Sequence, residues 1–168
     1  PNEELVTDFG ILGSTASYQL KSGSQSLILP TFGRGAGGLW DLQLNRTLPL
    51  DLRISTGVGS SELNLQQLTL TGLSIDAGVG KVEVTLPATG NFEATVNGGV
   101  GGITLYIPAT MAAQIEAKAG LGSVRVEGDY VQQDGLYRSL NYDGALNRVN
   151  LIVEGGIGAI TVEQMQLQ

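Results

Sequence analysis

The sequence contains no cysteine and no histidine. Without cysteine there is no disulfide framework and no thiol redox chemistry. Without histidine the chain lacks the commonest general base, the commonest transition-metal ligand and the usual pH switch. Charged residues make up only 15%, against roughly 25% in an average soluble domain. We therefore predict no catalytic residues, no cofactor and no metal site, which makes enzymatic activity the less favoured interpretation.

Long apolar runs and net positive charge are also missing. No run approaches the roughly 18 residues needed to cross a bilayer, so we expect no membrane insertion of this segment. The net charge is −7, from 16 acidic and 9 basic residues, which argues against nucleic acid and anionic membrane surfaces as partners. The opening "PNEELVTD" has neither an initiator methionine nor a signal-peptide pattern, which is typical of a mature or trimmed chain and leaves open whether an export signal or anchor was removed.

Glycine is abundant, with 25 residues, and much of it lies in a repeated glycine-aliphatic-glycine triplet. Four triplets follow one another at a constant interval of 21 residues, and a fifth follows after 36, which is one period plus a 15-residue insertion. Periods of this length are typical of solenoids, propellers and other repeat arrays. The triplets are Gly57-Val58-Gly59, Gly78-Val79-Gly80, Gly99-Val100-Gly101, Gly120-Leu121-Gly122 and Gly156-Ile157-Gly158.

Apolar residues alternate with polar ones within each copy and recur at the same place between copies. One column begins at Leu52 and continues through Leu73, Ala94, Ile115 and Leu151, and another runs from Leu63 through Val84, Leu105, Val126 and Val162. Period-two alternation indicates strands with one buried face. Recurrence between copies indicates that each strand lies over its equivalent in the next coil. The sequence therefore predicts an all-β fold, a β-solenoid (β-helix) with 21-residue coils.

We predict that residues 1–168 form a single solenoid domain. Residues 1–45 would be irregular early coils and a cap, with Trp40 covering the early end of the core. Residues 46–127 would be the regular coils, 128–148 an insertion and 149–168 the last coil. Pro87 and Pro108 fall in the turns between coils, where no ladder donor is needed.

The triplets are predicted to be the corners of the coils. Reversing the chain within a few residues requires positive φ, which only glycine adopts at low cost. The aliphatic residue between each pair of glycines is expected to point inward and fill the corner. Stacked in chain order, these residues would form one buried apolar spine, Val58, Val79, Val100, Leu121 and Ile157. A phosphate-binding glycine loop is not favoured, because strands rather than helices follow the triplets.

The insertion concentrates three of the five tyrosines together with several charged residues. It either caps the side of the core or contacts a partner, because loops on a rigid scaffold often carry binding residues. The candidate partner-binding residues are Tyr130, Tyr137, Arg138 and Tyr142.

A polysaccharide-cleaving enzyme remains an alternative. It would need two carboxylates about 5 Å apart, the separation that retaining enzymes use and that side chains on adjacent coils would have. The candidate pairs are Glu62 with Glu83 and Asp129 with Asp134. Acidic neighbours are common by chance in a solenoid column, and no aromatic sugar platform accompanies these pairs.

Several stretches resemble one bacterial family. "LRISTGVGSSELNL", "LSIDAGVGKVEVTLP", "VNGGVGGITLYIP" and "YRSLNYDGALNRVNLIVEGGIGAITVEQ" are similar to the toast-rack and LiaF-like domains, which are grouped with adhesin-like domains of unknown function. The resemblance spans about Leu48 to Glu163 and includes the pair Asn147-Arg148 before the last coil. It implies an all-β solenoid on the outer side of a bacterial membrane, with no catalytic residues to carry over. Some members of the family take part in envelope-stress regulation.

The functional expectation is a non-enzymatic, extracytoplasmic interaction or adhesin-like domain, secreted or membrane-anchored. Its partner would be a protein or glycan of the cell envelope. Two alternatives remain open: a polysaccharide-active enzyme using a carboxylate pair, and a sensory domain that partners a membrane signalling protein. The sequence does not set the oligomeric state.

Overall fold

The computed structural model describes residues 4–12, 15–23 and 41–166. The chain divides into two compact units, Pro1–Leu42 and Gln43–Gln168. In the first unit, β1 (Glu4–Leu12) pairs antiparallel with β2 (Thr15–Gly23). Trp40 lies outside the described residues, and the interpretation of residues 1–45 as early coils and a cap stays a prediction. In the part of the chain that is described, no helix has the length and hydropathy needed to span a bilayer.

The second unit is one open sheet of eight strands. The strands are β3 (Pro49–Val58), β4 (Ser61–Asn64), β5 (Thr69–Thr85), β6 (Asn91–Pro108), β7 (Ala112–Glu127), β8 (Tyr130–Gln133), β9 (Leu136–Ser139) and β10 (Arg148–Met165). A short 3-10 helix covers Tyr142–Gly144.

Each long strand carries one coil and bends at its glycine triplet. We call the part before the triplet the inbound arm and the part after it the outbound arm. The two arms lie close together, since a Cβ on Gly98 would be 2.8 Å from Cδ1 of Ile103, five residues further on. Both arms turn alternate apolar side chains toward the space between them, so the core is enclosed by the folded sheet itself.

Parallel pairing in register builds the core. Leu73 pairs with Ala94, and Val84 pairs with Leu105, so equivalent side chains of neighbouring coils stack directly. All four are buried, and they belong to one hydrophobic cluster. Stacking of equivalent positions removes large apolar areas from water between neighbouring coils. The predicted all-β solenoid is confirmed.

The order of the coils differs from the order in the chain. The last strand, β10, pairs in parallel with both β6 and β7, so the coils run β3–β5–β6–β10–β7. The expected spine order, with Leu121 directly after Val100, is therefore wrong, because Ile157 pairs with both of them. The connection from Pro108 to Ala112 passes over the position of β10 to reach β7. On this connection, the Ala109 amide donates a hydrogen bond to the carbonyl of Met165, at the end of β10, at 2.8 Å.

The glycine corners need glycine for two reasons. The second glycine of each triplet has positive φ, for example +139° at Gly101. The first glycine of each triplet does not have positive φ. A side chain is excluded there because of the neighbouring coil: a Cβ on Gly99 would overlap the carbonyl oxygen of Gly78. A Cβ on Gly120 would likewise lie 2.7 Å from the Gly156 oxygen. Close approach of neighbouring backbones, and not dihedral freedom alone, therefore excludes side chains at the corner.

The aliphatic residue of each triplet points outward, which corrects the prediction that it fills the corner. Val100 is 47% exposed and Val58 is 87% exposed. The inside of the corner is already filled by side chains of the outbound arms, including Ile103 and Ile160, and leaves a void of only about 10 Å³. The triplets instead form an outward row that we call the apolar ridge, Val58, Val79, Val100, Ile157 and Leu121.

We predict that Gly99→Ala lowers the free energy of unfolding by about 2–4 kcal/mol, because the new Cβ must push the Gly78 carbonyl away. Gly57→Ala is the matched control. Gly57 has the same place in its triplet, but no atom lies within 4 Å of its Cβ position, so its substitution should change stability by less than about 0.5 kcal/mol. Chemical denaturation of both variants measures the difference. Equal losses in the two variants would contradict the carbonyl-overlap explanation.

We also predict that two valines of the same strand differ sharply in their contribution to stability. Val96→Ala should cost about 2–3 kcal/mol, because Val96 is fully buried and its truncation leaves a cavity. Val100→Ala should cost less than about 1 kcal/mol, because half of that side chain is already in water. Thermal and denaturant melts of the two variants provide the comparison. A large loss on truncating Val100 would show that the ridge is buried after all.

Candidate functional site

The insertion adds a hairpin to the inbound side of the solenoid. Strands β8 and β9 pair with each other, and β9 pairs antiparallel with β7 through Gln114↔Arg138, Ile115↔Tyr137 and Glu116↔Leu136. Because side chains alternate along a strand, Tyr137 faces the core side with Ile115, and Arg138 faces outward with Gln114. The four candidate partner-binding residues are therefore divided between two faces.

Tyr130 and Tyr137 face the core. Both pack against the hydrophobic cluster, where they cover its side next to β7. Burial, and secondarily the negative charge of Asp129, raises the pKa of Tyr130 to about 12. The Tyr130 hydroxyl is buried and has no hydrogen-bond partner among the described residues. The structure places these two tyrosines, both half-buried, as a cap over the side of the core.

Arg138 and Tyr142 lie together on the outer face. The Arg138 guanidinium lies 4.8 Å from the centre of the Tyr142 ring, within the range of a cation–π contact. Its Nη2 donates to Oδ1 of Asp143 at 2.5 Å. These contacts hold the 3-10 helix against the outer side of β9, so Tyr142 forms a fixed projection there.

The pair Asn147-Arg148 anchors the inserted strand. The Asn147 side-chain oxygen accepts a hydrogen bond from the Gly90 amide at 3.0 Å, and its backbone carbonyl accepts one from Ala112 at 3.0 Å. The Arg148 amide donates to the Gly90 carbonyl at 2.8 Å. One dipeptide thus contacts the starts of both neighbouring coils, and it sets the register of β10 between them.

A groove of about 790 Å³ lies on the outer face of the inbound arms, with the 3-10 helix beside it. Residues of β3, β5, β6, β7 and β10 form its floor, and Tyr142 and Asp143 of the 3-10 helix form its wall. The lining residues are Asp51, Arg53, Thr71, Gly72, Leu73, Ser74, Asn91, Phe92, Glu93, Thr95, Gln114, Tyr142, Asp143, Arg148 and Asn150.

An irregularity between β3 and β5 contributes to the concave shape. Leu50 pairs with Leu70, but Asp51 pairs with Gly72, so Thr71 is an extra residue in β5. Bulges of this kind bend a strand and are frequent beside functional sites. Gly72 also leaves a gap in an outward column, where a Cβ would lie 3.1 Å from Oδ1 of Asp51.

The groove was not predicted from the sequence. The signal available was the spacing of Leu50 and Leu70, which is one residue shorter than the repeat of 21. A shortened interval inside an otherwise constant period indicates a bulge. Among the residues of the insertion that line the groove, Tyr142 alone was predicted from the sequence as a partner-binding residue.

The groove carries both signs of charge and many amides. Arg53 lies 3.5 Å from Asp51 in an exposed ion pair. Nε of Arg148 donates to Oδ1 of Asn91 at 3.2 Å, and Nη1 of Arg148 donates to the carbonyl of Asp143 at 3.2 Å. Donors and acceptors therefore alternate without one dominant charge, which suits a polar ligand with many hydroxyl or amide groups.

The two candidate carboxylate pairs differ in their placement. Glu62 and Glu83 are partners in neighbouring coils, on the outbound arms. A hydrogen bond and ion pair with Lys81, at 2.8 Å, lowers the pKa of Glu83, whereas a general acid needs a raised pKa.

Asp129 and Asp134 flank the four residues of β8. A strand of that length places them about 16 Å apart, further than either glycosidase mechanism uses. The expectation that these two carboxylates form a pair is therefore wrong.

Comparison with known proteins gives one family match and one similar solved structure. Residues 7–106 match the model of the N-terminal domain of toast_rack, DUF2154. The crystal structure of "a putative cell adhesion protein" from Clostridium sporogenes ATCC 15579 has a TM-score of 0.76 and 21% identity, over 96% of this chain and 77% of that one. At this level of identity the likeness shows the fold. No curated protein matches the chain.

We predict that Tyr130 makes stability depend on pH in alkaline solution. Because the folded pKa is raised to about 12 from an unfolded value of about 10, its contribution is complete below pH 10 and is lost as the pH rises through 12. Tyr130→Phe should therefore lose less stability between pH 10 and 12 than the wild type. Tyr106, whose pKa burial and Glu83 also raise, still contributes in both proteins. Denaturation curves at pH 7 and across this window measure the effect, and identical pH dependence would contradict it.

Proposed function

The chain belongs to the toast-rack family, and we propose that it is a non-enzymatic interaction domain of the bacterial cell envelope that binds its ligand in the groove. The groove is the observation that carries the proposal. Its volume of about 790 Å³ is within the range of about 300–1,000 Å³ that is usual for ligand pockets. The domain would act on the outer side of the membrane, either secreted or anchored.

The lining favours a glycan as the ligand. Apolar residues contribute little to it, since Leu73 and Phe92 are each 4% exposed. The accessible groups are carboxylates, guanidinium groups, amides and hydroxyls, which can both donate to and accept from sugar hydroxyls. Tyr142 adds an aromatic ring at the wall, held by Arg138. The description of the Clostridium protein as "a putative cell adhesion protein" agrees with binding at a cell surface.

The scaffold favours passive binding. Most groove residues stand on the parallel strands β5, β6 and β10, which are paired with a neighbouring strand on both sides, and the Asn147-Arg148 anchor holds β10 in place. A rigid set of donors and acceptors loses little conformational entropy when a ligand binds. Such a surface can recognise a repeating polymer without changing shape.

We predict that Thr95→Trp weakens glycan binding at least tenfold, because the indole would fill the groove that Thr95 lines. Thr104→Trp is the matched control. Thr104 lies in the same strand, is likewise half-buried and faces outward, but on the outbound arm. Binding would be measured on a microarray of bacterial surface polysaccharides and by retention on peptidoglycan. Equal binding by wild type and Thr95→Trp would contradict the groove, and shortening of the bound polysaccharide would contradict a non-enzymatic role.

A sensory domain that contacts a membrane signalling protein is the second candidate, and the apolar ridge favours it. Five outward aliphatic side chains in neighbouring coils form a row about 19 Å long. Exposed apolar rows of this kind often mark protein–protein contacts. In co-purification with envelope proteins, Val79→Asp should then lose the partner while glycan retention is unchanged. Loss of glycan retention in Thr95→Trp, with co-purification unchanged by Val79→Asp, would favour the groove instead.

A further inference from the structure

The strand β7 forms the last coil of the solenoid, and its two arms have different neighbours. Its inbound arm is covered by β9 at Gln114–Glu116. Its outbound arm pairs with β10 on one side, and within residues 4–12, 15–23 and 41–166 no strand pairs with residues 123–127 on the other side. The outbound layer therefore ends in an open strand edge.

Backbone groups at this edge lack the partners that they have in the inner coils. The Leu65 amide donates to the carbonyl of Thr85 at 2.9 Å, and the Leu86 amide donates to the carbonyl of Tyr106 at 3.0 Å. The equivalent residue after β7 is Gly128, whose amide has no acceptor among the residues described. An open edge of this kind is a template for pairing with another strand.

Core side chains are also incompletely covered at this edge. Val124 and Val126 are half-buried, whereas their equivalents Ile103 and Leu105 in β6 are 4% and 0% exposed. Edge strands are protected by proline, bulges, short length or charged side chains, including charges that point into the core. Residues 123–127 contain no proline, and the inward positions are both valine.

The charges of the edge complement each other in an antiparallel pair. Arg125 and Glu127 are exposed and form an ion pair at 2.5 Å. In a twofold pairing centred on Val126, Arg125 of one copy lies opposite Glu127 of the other, and the two Val126 side chains meet. A pairing centred on Arg125 would place two arginines opposite each other, which is unfavourable.

We propose that the outbound edge of β7 is a dimer interface, in which two copies of this chain pair antiparallel about Val126. The contact is isologous, because the same edge serves in both copies, so it closes as a dimer and does not propagate into a filament. Each edge gains backbone hydrogen bonds, and the half-buried valines of each copy are covered by those of the other.

Charge reversal tests this pairing. The wild-type protein should have a mass about twice the 17.5 kDa of the chain in light scattering and analytical ultracentrifugation. Arg125→Glu and Glu127→Arg should each be monomers, because like charges then face each other. An equimolar mixture of these two variants should form a heterodimer, and the double variant should dimerise again by itself.

Lys81→Glu is the matched control. Lys81 and Glu83 form the same kind of ion pair two residues apart, on the outbound arm of the inner strand β5. This variant should stay dimeric, and thermal melts should show that all variants are folded. A monomeric wild type, dimers that survive the single reversals, or a mixture that fails to associate would each overturn the proposal.

Discussion

Neighbouring coils meet backbone against backbone at the glycine corner, and the rest of the architecture depends on this contact. The carbonyl oxygen of one coil occupies the place of a Cβ in the next, at Gly99 against Gly78 and at Gly156 against Gly99. With no side chains between them, the coils keep normal ladder spacing through the bend, so both arms can stay in register. In-register arms in turn stack the core side chains in columns and place the outward side chains in rows.

The inserted strand connects this architecture to the groove. Because β10 lies between β6 and β7, it brings Arg148 and Asn150 into the outward rows of the inbound arms. The hydrogen bonds of Asn147 fix its position at both neighbours. The same chain segment carries the 3-10 helix with Tyr142, which forms the wall. The insertion is therefore a structural part of the site, since it supplies one wall and determines which strands form the floor.

The sequence predicts the period, the arms and the buried columns, because each rests on a repeated local pattern. It does not predict the coil order, since β7 and β10 carry the same pattern and would stack equally well in either order. That choice depends on the Asn147 contacts, which are not repeated. The direction of the ridge does not follow from the alternation. Inward positions are odd-numbered in the inbound arm of β5, at Leu73 and Ile75, and even-numbered in its outbound arm, at Val82 and Val84. The alternation therefore breaks at the corner, and the residue between the two glycines would point inward by the first pattern and outward by the second.

The groove and the β7 edge lie on different parts of the same fold, and this separation has a functional consequence. Strand pairing extends the outbound layer in its own plane, whereas the groove lies on the outer face of the inbound arms. A dimer formed through the edge would therefore keep both grooves open. With a glycan as the ligand, as proposed, polar groove contacts would give modest affinity for each sugar, because they replace hydrogen bonds to water. Two grooves on one rigid dimer can engage the same polymer or surface, and the second contact then benefits from a high effective concentration. Retention on a repeating cell-surface glycan would accordingly depend on pairing of the coils at the end of the solenoid as well as on the residues of the groove.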